Sequence, residues 1–208
     1  MNSHTQRHTV AGPAGLLDCA IDTPAQAPRG VAVLCHPHPQ HGGTMDNKVV
    51  QTLARAMVQL GYTSVRFNFR GVGGSQGEWG QGQGEIDDAL AVIAHHRVAG
   101  APLVLGGFSF GAYVASQAAA RQAPGEQAER VVLVGPAVIN FVAAPVPADT
   151  LVVHGELDDV VPLTAVLDWA RPQSLPVTVL PGAGHFFHGQ LSVLKHIVTS
   201  AWAWRPAS

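Results

Sequence analysis

Residues 103–120 read LVLGGFSFGAYVASQAAA. The apolar run 103–108 has the composition of a buried strand, and the small residues 112–120 favour a helix. Gly107-Phe108-Ser109-Phe110-Gly111 must make the turn between them. A turn that tight drives its middle residue toward strained backbone angles, and glycines on either side remove side chains that would collide. Ser109 is therefore expected to stand out of the turn, its hydroxyl at a helix N-terminus. There, unsatisfied N–H groups and the helix dipole favour negative charge. A bare G-x-S-x-G pentapeptide says little, but between a strand and a helix it marks an exposed nucleophile.

Working outward, short Val- and Leu-rich runs recur at 31–35, 64–69, 131–134, 151–153 and 177–180. Helical spacing separates them. One helix runs from Asp46 as N-cap through Val49, Val50, Leu53, Met57 and Leu60 to Gly61 as its stop. Others are marked by Ile86, Leu90 and Ile93, by Leu163, Val166 and Leu167, and by Leu191, Leu194, Ile197 and Ala201. Alternating strands and helices predict an α/β class, a doubly wound, mostly parallel sheet with helices on both faces. Residues 7–22 read as an edge hairpin ahead of the parallel core, and residues 71–84, with seven glycines, as the loosest loop.

The 208 residues, 47% hydrophobic, suit a single domain spanning 1–208. A net charge of -2 gives no footprint for nucleic acid. Cys19 and Cys35 read as ordinary buried thiols, and residues 1–10 do not resemble a secretory signal, so a cytoplasmic location is expected. The most apolar long stretch, 131–148, contains Gly135, Pro136, Asn140, Pro145 and Pro147, which argue for a strand and a loop over a membrane span.

A serine hydroxyl is a weak nucleophile and needs a histidine base held in one tautomer by a carboxylate. His185 lies in the Gly-rich loop after strand 177–180, at the strand's C-terminal end, where open α/β sheets place their sites. His188 is a rival that reads more simply as a cap or surface residue. After strand 151–153 come Glu156, Asp158 and Asp159, and adjacent carboxylates cannot both face the histidine. Asp159 also reads as a helix cap ahead of Pro162. An oxyanion needs two backbone donors, one from Phe110, the residue after the nucleophile. The second is expected from the loop after the early strand 31–35, where Pro37 and Pro39 have no N–H and leave His38. His36, His38 and His41 could instead ligate zinc. The prolines stiffen this segment, however, and no carboxylate or cysteine lies beside it, so neither metal nor cofactor is expected.

Together these pieces resemble the α/β-hydrolase superfamily, and within it the small lidless, dienelactone-hydrolase-like members. The matching residues are His36-Pro37-His38-Pro39 with Gly42-Gly43-Thr44-Met45 and Asn47-Lys48, and Asn68-Phe69-Arg70-Gly71-Val72-Gly73 with Ser75 and Gly77. The 107–111 elbow, His154-Gly155 with Asp158 and Val161-Pro162, and Gly184-His185-Phe186-Phe187 complete the set. The resemblance implies Ser109 as nucleophile, Asp158 as acid and His185 as base. Dienelactone hydrolases proper carry a cysteine where Ser109 stands, so their substrate does not carry over. Only residues 135–150 are free for a lid, and their three prolines cannot build a multi-helix cap. The expectation is an open cleft for a small acyl substrate, a short ester or thioester, walled by Val138, Ile139, Phe141, Phe186, Phe187 and Trp79. No nucleic-acid or membrane partner is expected.

Overall fold

A computed structural model describes residues 5–203. Eight strands form one sheet in the order β1-β2-β4-β3-β5-β6-β7-β8. The hairpin β1 (Gln6–Gly12) and β2 (Gly15–Asp22) pairs antiparallel, and β2 docks antiparallel on β4. From β4 onward all pairing is parallel, through β3 (Gly30–Cys35), β4 (Tyr62–Phe67), β5 (Leu103–Phe108), β6 (Arg130–Val134), β7 (Leu151–Gly155) and β8 (Val177–Leu180). Among the described residues, four α-helices lie between strands, α1 (Lys48–Gln59), α2 (Gln83–His96), α3 (Phe110–Ala120) and α4 (Leu163–Ala170), and α5 (Leu191–Ser200) follows β8.

Successive strand side chains point to opposite faces, and the core divides accordingly. Ala32, Leu34, Val104, Phe108, Val132 and Val134 pack beneath α1 and α5. Val31, Val33, Leu103 and Leu105 pack beneath α2 and α3. Such strands are apolar on both faces, which is why they read as unbroken Val and Leu runs. Since β3 is flanked by β4 on one side and β5 on the other, crossovers diverge from it, and a crevice opens at the strands' C-terminal ends.

Several local expectations change. Helix α1 is capped by Asn47, whose Oδ1 accepts from the N–H groups of Val49 and Val50, and not by Asp46. Asp46 instead pairs with Arg7 at 2.9 Å and with buried Arg66 at 3.2 Å. Strand β4 ends at Phe67, and the two residues that follow are held by different partners, although Asn68 N–H still donates to Asp18 O of β2. Asn68 Oδ1 accepts from Met45 N–H, and Phe69 N–H donates to His36 Nε2. The glycine-rich loop is a loop, but a pinned one. Arg70 grips buried Asp88 through three side-chain hydrogen bonds, and Glu85 accepts from the N–H groups of Gly80 and Gly82. Both cysteines are buried and unpaired with each other. Among the described residues, no helix is long and apolar enough to cross a membrane.

Candidate active site

The turn after β5 has the strained geometry its sequence demands. Ser109 has φ 56° and ψ −118°, a region costly for any residue with a Cβ, and its N–H is tied to Val134 O at 2.9 Å. Both flanking glycines are obligatory for closeness. A Cβ on Gly107 would lie 2.1 Å from Gly111 O, and one on Gly111 only 2.2 Å from Cys35 O. Helix α3 thus starts hard against the end of β3, with the Ser109 side chain in the crevice.

His185 comes from the loop after β8 and Asp158 from the loop after β7. Gly155 lets these loops meet, since a Cβ there would lie 2.4 Å from Ala183 O. Ser109 Oγ and His185 Nε2 are 3.0 Å apart, and His185 Nδ1 and Asp158 Oδ2 are 2.7 Å apart. All three residues are buried. Asp158 Oδ1 also accepts from the N–H groups of Val160 and Val161, at 3.0 and 2.7 Å. Burial by itself would raise the Asp158 carboxyl, but the hydrogen bonds from His185 and Val161 outweigh it and hold the group below the usual carboxylate range. An ionised Asp158 therefore faces His185 Nδ1. Asp159 and Glu156 are exposed; α4 has no side-chain cap, and Glu156 instead accepts from Gly182 N–H. His188 is also exposed and caps nothing, since Gln190 stands at the N-cap of α5.

The loop after β3 borders the same crevice. Pro37, His38, His41, Gly42, Gly43 and Asn47 line a cleft of about 280 Å³ together with Ser109, His185, Val160 and Phe186. Among the described residues, neither Phe110 N–H nor His38 N–H is claimed by an acceptor. The zinc reading of this loop does not survive. His36 is fully buried, with Nδ1 at 2.6 Å from Pro37 O and Nε2 accepting from Phe69 N–H, so both ring nitrogens are spent on backbone. Burial pushes its pKa down to about 4, so it is a neutral strut that holds the loop to the end of β4. The rings of His38 and His41 stack at 4.4 Å, and His38 leans on Trp79, Phe110 and Phe141.

Of the expected wall residues, Phe186 lines the cleft, half exposed. Phe187 does not. It takes φ 51° and buries its ring completely in the core beneath α1 and α5. Val138 packs around Val161 and Val166, and Phe141 and Trp79 form a layer behind His38. Val160 was not foreseen as a wall, because nothing in its local pattern distinguishes it from a loop valine. His154 was not assigned a role either. It lies wholly buried at the end of β7, with Nε2 2.9 Å from Val161 O and 3.5 Å from Asp158 Oδ2, underpinning the turn that carries Asp158.

A parallel sheet with a serine elbow at its crevice and no cap over it defines a lidless α/β hydrolase. Comparisons with known proteins agree. Residues 26–148 match the family model described as serine aminopeptidase, S33, and the chain belongs to this family of the α/β-hydrolase superfamily. It is 35% identical over 196 residues to an uncharacterized protein of Rickettsia prowazekii, covering 85% of this chain and 79% of that one. A lidless α/β serine hydrolase from Xanthomonas campestris superposes with a TM-score of 0.87 at 37% identity, covering 100% of this chain and 98% of that one. An α/β serine hydrolase homologue from Coxiella burnetii gives 0.82 at 39%, covering 94% and 96%.

Proposed function

We propose that the protein hydrolyses short-chain carboxylic esters or thioesters through an acyl-enzyme, with Ser109 as nucleophile, His185 as base and Asp158 as its orienting acid. The continuous relay Ser109–His185–Asp158, set on a strained elbow, is the observation that carries this reading. Ser109 Oγ attacks the carbonyl carbon while its proton passes to His185 Nε2. The oxyanion develops toward the N–H groups of Phe110 and His38, the free donors beside the crevice. Collapse expels the alcohol or thiol, which takes the proton back from His185, and water repeats the sequence to release the acid. The cleft's small volume and the modest apolar wall that Phe186 and Val160 give it suit a short acyl chain.

A second reading comes from the matching family's description as serine aminopeptidase. Amide cleavage needs the same relay and a firmer protonation of the leaving amine. Turnover of matched esters and anilides separates the two, and the ester is expected to be faster.

The acyl-chain profile tests the substrate class. Dissolved p-nitrophenyl esters should be hydrolysed without any rate jump at their solubility limit, and kcat/KM should fall beyond a few carbons. Each methylene left in water forgoes roughly 0.8 kcal/mol of transfer energy. A rate climbing to long chains, with activation at an emulsion surface, contradicts a lidless short-chain site.

A further inference from the structure

We propose that His8, His95 and His96 form a binding site for one Zn²⁺ ion, at the opposite end of α2 from the pinned glycine-rich loop and apart from the Ser109 crevice. A ring nitrogen from each histidine lies within 4.8 Å of the other two. His8 Nε2 and His96 Nε2 are 3.2 Å apart, close to the edge of about 3.3 Å that two imidazoles span at tetrahedral zinc. The exposed His95 closes the remaining gap by turning its ring.

The fold explains why these side chains converge. On β1, His8 and Val10 share the face that meets α2, where Val10 packs with Ile86, Ala89, Val92 and Ile93. His96 lies three residues beyond Ile93 and continues the same stripe. His95 and His96 occupy the last turn of α2, where unsatisfied carbonyls make a negative pole that favours a cation. The neighbouring positive charge is turned away, since Arg97 is engaged by Gln122 and by Glu126. An all-imidazole donor set selects borderline divalent ions over calcium or magnesium. Three histidines and a water complete a tetrahedron, and the ion would clamp the edge strand β1 to the end of α2.

The experiment is titration of chelator-stripped protein with ZnCl₂ alone, read by calorimetry and by the thermal midpoint. Wild type is expected to bind one Zn²⁺ with a rise in midpoint. His8→Ala should weaken binding at least about tenfold and lose the rise. His95→Ala, at an exposed position that cannot disturb the strand, should do the same. A double variant of His38 and His41 to alanine should still bind, which separates this site from the histidine pair beside the crevice. Absence of one-to-one binding in wild type, or affinity unchanged in both His8→Ala and His95→Ala, overturns the proposal and leaves only adventitious binding by surface histidines.

Discussion

At the scale of single residues, the two aspartates after β7 are the sharpest contrast. Asp158 spends one oxygen on His185 and the other on two backbone N–H groups, whereas Asp159 faces solvent. Asp158→Asn would offer His185 Nδ1 an amide and favour the wrong tautomer, so kcat should fall on the order of 10⁴-fold, as wrong-tautomer variants of such relays do. Asp159→Asn should change it less than about twofold, within the range of an exposed substitution. Equal losses would move the acid elsewhere. His36 makes a second prediction, about stability. Its folded pKa is about 4 against 6.5 in the unfolded chain. Between those values the unfolded chain takes up a proton that the buried ring refuses. The stability due to a neutral His36 is thus complete above pH 6.5 and drains away as pH falls toward 4. The full gap corresponds to roughly 3 kcal/mol. Denaturant unfolding across this window should show a steeper loss for wild type than for His36→Gln, and parallel slopes would mean that the ring is already protonated in the fold.

At the scale of elements, the close approach of α3 to β3 sets the crevice, and Gly111 makes it possible. Gly111→Ala would force the helix start away from Cys35 O, at a cost of about 3 kcal/mol, while Gly184→Ala meets only Leu157 O at 3.7 Å and should cost under about 0.5 kcal/mol. Melting of the two variants against wild type reads the difference; similar midpoints would show that the elbow is looser than its geometry. Much of this architecture is legible in the chain, because strands buried on both faces tend to read as apolar runs, and each of the six runs became a strand, β4 in spite of its buried Arg66. What misled was polar chemistry decided by distant partners. Asp46 has a cap's composition but is drawn off by Arg7 and Arg66, so Asn47 caps α1. Phe69 continues an apolar run, yet its N–H is taken by His36 from another strand. Phe186 and Phe187 look alike as wall residues, and only the left-handed backbone at Phe187 sends the second ring into the core. Spacing along the chain could place Ser109 and His185 at strand ends but could not separate Asp158 from Asp159.

At the scale of the whole molecule, loops from β3, β5, β7 and β8 converge where the crossovers diverge, and residues 135–150 between β6 and β7 add no helix above them. Ser109 is therefore reachable from solvent without a conformational change, although its hydroxyl sits in a mostly buried pocket. The central claim, that Ser109 is the nucleophile of an assembled relay, is tested most directly by an active-site-directed fluorophosphonate followed by peptide mapping. A single adduct is expected on Ser109. It should be lost in Ser109→Ala and formed far more slowly in His185→Ala, with both variants folded by circular dichroism. No adduct on the folded wild-type protein, or one that persists on another residue in Ser109→Ala, would contradict it.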